Sequence, residues 1–228
     1  MISSELVNMS TPQEIAQAVE SAPYEASTAT LLEKCVATQM SNGTYDFFAN
    51  KALMKNYQNS SASTNSKMEV LTDVLTLALM RLPSTDYLSL SYLLPGKIAD
   101  CPKLDLIKKY AELLEKAQYK QFWTEYSTSK ESFAGAKGFE SAIRGCVLSN
   151  LSMTFRAVDT ATIGPMLGLE GASLKQFLSS TPLVESVTDS GVRFAANDEN
   201  QPGGGAAGQV TSSAVDVMRK KLESVRGI

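Results

Sequence analysis

Histidine is absent from this chain of 228 residues. Its absence excludes the Ser-His-Asp and Cys-His arrangements that activate nucleophiles, and every metal site with an imidazole ligand. Cysteine is scarce, because Cys35, Cys101 and Cys146 are odd in number, far apart and form no C-x-x-C pair. We therefore expect no disulfide framework and no cysteine metal site, but small buried thiols in a reducing compartment.

Long apolar runs are also missing, since no stretch approaches the roughly 18 apolar residues of a membrane-spanning helix. The first residues, MISSELVNMSTPQE, lack the basic start and apolar centre of a secretory signal, which predicts an intracellular protein. The 21 basic and 24 acidic residues give a net charge of −3. Such a balance argues against nucleic acid as the main partner, because phosphate binding needs concentrated lysine and arginine.

Short amphipathic helical patterns separated by breakers occupy most of the chain up to residue 134. Thr11, Pro12 and Glu14 form a capping box that opens the first helix. Apolar residues then recur at helical spacing, and Phe48 lies on one of the predicted buried stripes. The pattern predicts an N-terminal extension with a short helix at 1–26, followed by a stack of helical hairpins at 27–134 that is similar to HEAT or TPR repeats without a strict period.

Three glycines are concentrated in the segment TIGPMLGLEGASLKQFL, residues 162–178. Their spacing fits neither the phosphate loop nor the dinucleotide fingerprint, and it favours a corner between two packed helices. A long helix carrying Ile143, Val147, Leu151 and Phe155 is predicted before this corner. The pieces LVESV and VRFAA around an Asp-Ser-Gly turn predict a β-hairpin after it. This order of elements predicts a winged helix at residues 138–196.

The charges of this predicted winged helix do not favour DNA binding. Residues 138–196 contain four basic and five acidic side chains, a net charge of −1. A module that reads a DNA groove is clearly positive, because it needs several phosphate contacts at physiological salt. We interpret the segment as a protein-contact module, with a winged-helix nucleic-acid-binding module as the alternative.

A glycine-rich segment and an amphipathic pattern end the sequence. NDENQPGGGAAGQ predicts a flexible linker at 197–209, and residues 210–228 predict a C-terminal helix with one apolar stripe. We expect this helix either to dock on its own domain or to join helices of other chains. Its basic run Arg219-Lys220-Lys221 is interpreted as a solvated face, and contact with RNA or a membrane is the alternative.

Several stretches between residues 28 and 170 resemble the PCI-domain family, and most closely the k subunits of eukaryotic translation initiation factor 3. They are TLLEKCVATQ, YDFFANKALMKNYQ, LPSTDY, YAELLEKAQYKQFW, GFESAIR, and TFRAVD with MLG. The resemblance implies a mainly α, non-catalytic scaffold subunit of the cytoplasm, without cofactor or metal. Its implied partners are other subunits of the factor, especially subunit l, and the 40S ribosomal subunit in the 43S pre-initiation complex. A small PCI subunit of the proteasome lid or signalosome is the alternative.

The resemblance also implies that the winged helix and the terminal helix bind partner subunits. The hairpin strand near Val192–Ala195 is expected to be an edge strand that offers main-chain pairing. The pair Glu112 and Glu115 is typical of a solvated helix surface, so no catalytic residue is expected. The candidate partner-binding residues are Leu174, Phe177, Val192, Phe194, Val217, Met218, Leu222 and Val225.

Overall fold

The computed structural model describes residues 12–59, 67–95 and 101–200. These residues contain ten α-helices and one three-stranded antiparallel sheet, which confirms the predicted mainly α fold class. They divide into two compact units: the described residues of Met1–Val147 with Met166–Gly168, and those of Leu148–Pro165 with Leu169–Ile228. The domain borders predicted from the sequence stay a prediction, and the predicted C-terminal helix and most of the predicted linker lie outside the described residues.

Helices that contact their neighbours in the chain build the first unit. Helix α2 (Ala26–Asn42) packs against α3 (Phe47–Asn59) and α4 (Met68–Leu79). Helix α4 also packs against α5 (Asp86–Ser91) and α6 (Pro102–Glu115), and α6 packs against α7 (Tyr119–Ser129). A 3-10 turn at Lys130–Phe133 leads to α8 (Phe139–Thr154), whose residues up to Val147 belong to this unit. Helix α1 (Pro12–Ser21) comes first in the described residues and packs against α2 and α3.

Local sequence signals account for the ends of several helices. Gly43 ends α2 in a left-handed conformation with a φ of 71°, and its N–H donates to the carbonyl of Gln39 at 2.9 Å. The same turn is bound to a distant segment, because the N–H of Lys137 donates to the carbonyl of Met40 at 3.0 Å. Pro102 stands in the first turn of α6, where its missing N–H costs nothing.

An aromatic cluster forms the core where α6, α7, the 3-10 turn and α8 meet. The ring centres of Tyr110 and Phe122 are 5.0 Å apart, and those of Phe133 and Phe139 are 4.8 Å apart. Tyr126 stacks against both Phe122 and Phe139. Offset and edge-on contacts of this kind add to the free energy gained from burying the rings.

Two buried amides connect α2 to α3. Gln39 and Asn50 each donate from the side-chain nitrogen to the side-chain oxygen of the other, and both distances are 3.0 Å. The oxygen of Gln39 also accepts from the N–H of Asp46 at 2.8 Å. The two side chains are 3% and 0% exposed, so the hydrogen bonds compensate their lost hydration.

The second unit contains the end of α8 and the elements of a winged helix. These are β1 (Ala157–Asp159), α9 (Thr160–Leu167, which belongs to this unit up to Pro165), α10 (Gly171–Ser179), β2 (Val184–Val187) and β3 (Gly191–Phe194). The predicted helix through Ala157 and Val158 is wrong, since α8 ends at Thr154 and these two residues pair with β3 instead. Local helical spacing could not reveal this, because the strand exists only by pairing with a segment about 35 residues away.

The glycine-rich segment is a corner between α9 and α10, as predicted. Gly168 and Gly171 have φ angles of 60° and 56°, which side chains rarely allow. The N–H of Leu169 donates to the carbonyl of Gly164 at 3.1 Å. A Cβ on Gly164 would stand 3.0 Å from the carbonyl oxygen of Leu169, so a larger residue would require this carbonyl to shift by a few tenths of an ångström.

Candidate partner-binding surfaces

The sheet of the second unit has the strand order β1-β3-β2, so β3 is its central strand. Strand β1 lies on one side of β3 and pairs Ala157 with Arg193, Val158 with Val192 and Asp159 with Gly191. On the other side, Val187 pairs with Val192 and Val184 with Phe194. The expectation that the strand near Val192–Ala195 is an edge is therefore wrong, because both sides of it are occupied.

Strand β1 presents an edge that no other strand of the described residues covers. The N–H of Phe194 donates to the carbonyl of Arg156 at 3.0 Å, and the N–H of Thr160 donates to the carbonyl of Ser190 at 3.1 Å. Because hydrogen bonds alternate along an antiparallel pair, the main-chain groups of Ala157 and Asp159 point away from β3. Both residues are exposed and no described strand pairs with their outer side, which leaves these main-chain groups open to another strand.

Strand β2 has the other outer edge in the described residues, but it is less regular. Its pairing with β3 shifts register between Val184 and Ser186, which places a bulge at Glu185. The carboxylate of Glu185 accepts from the guanidinium of Arg156 at 2.7 Å and is 3.9 Å from that of Arg193. A bulge and charged side chains discourage pairing, so β1 is the better template for an added strand.

The structure places four of the eight candidate partner-binding residues inside the second unit. Leu174, Val192 and Phe194 are at most 2% exposed and form its core, whereas Phe177 is partly buried. Because Leu174, Val192 and Phe194 are buried, they stabilise the sheet from inside the unit and present almost no surface to a partner. Their partner-binding role stays a prediction, and the other four candidates, Val217, Met218, Leu222 and Val225, lie outside the described residues.

Several large apolar side chains are exposed where the sequence did not indicate a surface. Phe48 is 80% exposed although its stripe was predicted to be buried. Phe155, which was predicted to belong to the long helix, follows the end of α8 and is 45% exposed. Phe48 follows Phe47, and neighbouring residues of a helix point about 100° apart, so both rings cannot face one core. The others are Tyr24, Leu88, Tyr92 and Met153.

Two cysteines and one acidic residue noted in the sequence are ordinary structural side chains: Cys35 is partly buried, Cys146 is buried, and Glu112 is paired with Lys116. Burial raises the pKa of the Cys146 thiol to about 11 and also raises the pKa of Cys35, so neither is ionised near neutral pH. The hydrogen bond from Lys116 lowers the pKa of Glu112, as in an ordinary surface ion pair. Among the described residues no group of three or more acidic or cysteine side chains is arranged to hold a metal ion, and no helix there has the length and apolar character to cross a bilayer.

Known proteins resemble this chain over most of its length. The sequence profile of the CSN8/PSMD8/EIF3K family matches residues 65–197, which include the whole of the winged helix. Eukaryotic translation initiation factor 3 subunit K of Sclerotinia sclerotiorum is 28% identical over 200 residues, covering 79% of this chain and 80% of the relative. Subunit K of Phaeosphaeria nodorum is 30% identical over 176 residues, which cover 69% of this chain and 71% of the relative. Subunit K of Dictyostelium discoideum is 28% identical over 179 residues, which cover 78% of this chain and 72% of the relative. The chain belongs to the CSN8/PSMD8/EIF3K family.

Proposed function

We propose that this chain is a non-catalytic scaffold subunit of eukaryotic translation initiation factor 3. In this role it assembles in the cytoplasm with other PCI subunits, notably subunit l, and supports formation of the 43S pre-initiation complex on the 40S ribosome. The observation that carries the proposal is that subunit K of three different organisms aligns with about 70 to 80% of this chain. The winged helix lies inside the residues that the family profile matches, and it offers a surface for assembly.

The charges of the second unit support protein contacts over nucleic-acid binding. In the described residues of this unit, each basic side chain has a carboxylate partner. Arg156 contacts Glu185 at 2.7 Å, Lys175 contacts Asp189 at 2.7 Å, and Arg193 lies 3.9 Å from the carboxylate of Glu185. A surface whose cations are paired in this way lacks the positive potential that steers nucleic acid to a protein.

The edge of β1 is the proposed place for strand pairing with a neighbouring subunit. It is regular, its main-chain groups at Ala157 and Asp159 point outward, and both side chains are short enough to let another backbone approach. Pairing of this kind supplies affinity through main-chain hydrogen bonds, while the side chains on either face select the partner.

Affinity purification of the tagged full-length chain, followed by mass spectrometry, tests the proposed function. We expect subunits of initiation factor 3, including subunit l, together with 40S ribosomal proteins. The family description joins subunits of three complexes, so a small subunit of the proteasome lid or signalosome is the second candidate. Recovery of proteasome ATPases or signalosome subunits in place of initiation factor subunits would show that the second candidate is right.

Substitution of Ala157 tests the strand-pairing step separately. Ala157→Pro removes an N–H that points away from β3, so the sheet of this chain keeps its own hydrogen bonds. We expect about tenfold weaker recovery of the neighbouring subunit, because an outward hydrogen bond is lost and the ring obstructs a partner strand. Ala157→Val keeps the N–H and is the matched control. Equal recovery with both variants would refute pairing at β1.

A further inference from the structure

A groove in the first unit carries two exposed aromatic rings beside two lysines. It encloses about 330 Å³ between α1, the turn after α1 and α3. This aromatic groove is lined by Val19, Pro23, Tyr24, Phe48, Lys51, Ala52 and Lys55. We propose that it binds an acidic peptide segment of another subunit, and that this segment inserts an apolar side chain into the groove. The inference rests on the proposed function and adds a second contact, distinct from the edge of β1.

The exposure of the two rings indicates that the groove is incomplete without a partner. Phe48 is 80% exposed and Tyr24 is 61% exposed, whereas four other phenylalanines are at most 2% exposed: Phe122, Phe133, Phe139 and Phe194. An exposed phenyl ring loses the free energy that its burial would give, and burying it against a partner recovers that free energy. Aromatic side chains at the centre of an interface carry a large share of the binding energy.

The walls of the groove suit the side chain of a peptide. Val19, Pro23 and Ala52 are partly buried and present aliphatic carbon beside the two rings. Such a concave apolar surface accommodates one leucine-sized or aromatic side chain, as in other grooves that bind peptides. The Tyr24 hydroxyl group offers a polar contact at the rim for the main chain of that peptide.

The charges at the groove select an acidic partner. Lys51 and Lys55 line it, and no acidic side chain of the described residues does so. They stand four positions apart on α3, so both point to the same side of the helix. Neither makes an ion pair within the described ranges, and the ammonium of Lys51 lies 5.6 Å from the centre of the Phe47 ring. Carboxylates of a partner would therefore gain attraction without displacing an existing pair.

Single-stranded RNA would also bring stacking rings and negative charge, but the groove favours it less. Two lysines neutralise two phosphates, and so few contacts give little affinity at physiological salt. Proteins that stack bases combine their rings with a longer basic track. Here the neighbouring groove residues are aliphatic, which suits an apolar side chain better than the polar edges of a base.

Photo-crosslinking from position 48 identifies the occupant directly. The full-length chain carrying benzoylphenylalanine in place of Phe48 is assembled into its native complex, irradiated and analysed by mass spectrometry. We expect a crosslink to one protein segment that has a net charge of about −2 or lower and an apolar residue at the crosslinked position. The same probe at Tyr92, which is 77% exposed on the same unit, is the control position and should not crosslink to that segment.

Any other product of the Phe48 crosslink overturns the proposal. Such products are RNA, a neutral or basic protein segment, residues 1–11 of the same chain, or no crosslink in a complex that has assembled. Co-purification in the same sample reports whether initiation factor subunits are present. A crosslink to an acidic segment in a different complex would support the groove proposal and refute the proposed function. Co-purified initiation factor subunits without a crosslink to an acidic segment would support the proposed function and refute the groove proposal.

Charge reversal tests the role of the two lysines. The double variant Lys51→Glu with Lys55→Glu should lower the yield of the Phe48 crosslink at least about fivefold, because both attractive contacts become repulsive. The double variant Lys51→Arg with Lys55→Arg keeps the charge and should retain the yield. Equal yields from the two variants, at equal folding by circular dichroism, would refute the electrostatic part of the proposal.

Discussion

Replacement of Gly168 by alanine should reveal a steric contact that holds the glycine corner. Gly168 has a φ of 60°, and a Cβ there would stand 2.7 Å from Cδ2 and 2.8 Å from Cγ of Trp123. The indole cannot move aside freely, because its Nε1 donates to the carbonyl of Met166 at 2.8 Å. The guanidinium of Arg144 covers the ring at 4.8 Å and its Nε donates to the carbonyl of Leu167 at 3.1 Å.

The expected cost of Gly168→Ala combines backbone strain with this contact. A left-handed alanine costs about 1 kcal/mol. Displacing a ring that is fixed by a hydrogen bond and a cation adds about 1–2 kcal/mol. We expect a total destabilisation of about 2–3 kcal/mol, which corresponds to a fall in Tm of about 4–12 °C for a chain of this size.

The sequence contains a single tryptophan, so the fluorescence of Trp123 reports on this site during urea unfolding. Gly138→Ala is the matched control, because Gly138 also has a positive φ, 82°, but a Cβ there would meet nothing within 4 Å. It should cost only the strain, about 1 kcal/mol. In a Trp123→Ala background, which lacks both contacting ring atoms and is followed by circular dichroism because no tryptophan remains, Gly168→Ala should also cost about 1 kcal/mol. If Gly168→Ala and Gly138→Ala destabilise the wild-type chain equally, the reasoning about Trp123 is wrong.

Three further predictions follow from buried and paired groups. Asn50→Leu should lower the free energy of unfolding in urea by about 2–3 kcal/mol, because it removes both hydrogen bonds between Asn50 and the buried amide of Gln39. Gln39→Leu should then cost less in the Asn50→Leu background than it does alone, because the two hydrogen bonds are already lost. The hydrogen bond from Lys130 lowers the pKa of Glu140 below its usual value of 4.5. The ionised Glu140 therefore stabilises the fold at pH values above 4.5, and this stabilisation is lost as the pH falls through the lowered pKa. Glu140→Gln should therefore be less stable than the wild type at pH 7 by up to about 1 kcal/mol, and equal stability of the two at pH 7 would contradict this assignment. Iodoacetamide should alkylate Cys146 at least about tenfold more slowly in the native chain than in urea, because burial raises its pKa to about 11, and peptide mapping measures the ratio.

Local signals predicted most of the helices correctly, because capping residues and apolar spacing act within one or two turns. The proline in the first turn of α1 and the left-handed Gly43 at the end of α2 are read directly from the sequence. The glycine corner was predictable for the same reason, since a positive φ at Gly168 and Gly171 limits which residues fit. Spacing alone could not distinguish which face of a short helix is buried, as the exposed ring of Phe48 illustrates.

The candidate site was predicted less well than the fold. The pairing surface was assigned to Val192 and Phe194 because only two β-prone pieces were evident. The third strand has only three residues, and it follows a helical pattern without a break in apolar spacing. Its strand conformation depends on hydrogen bonds to β3, which no local pattern encodes.

The sequence by itself determined the class of this protein: helical hairpins, a glycine corner and a hairpin, with no histidine and no excess of basic charge. These properties depend on the spacing and chemistry of residues that are close together in the chain. The tertiary structure decided which strand is central, which edge remains open and which rings stay at the surface. Those outcomes depend on contacts between distant segments, since a strand or an apolar face is completed only by the element that packs against it.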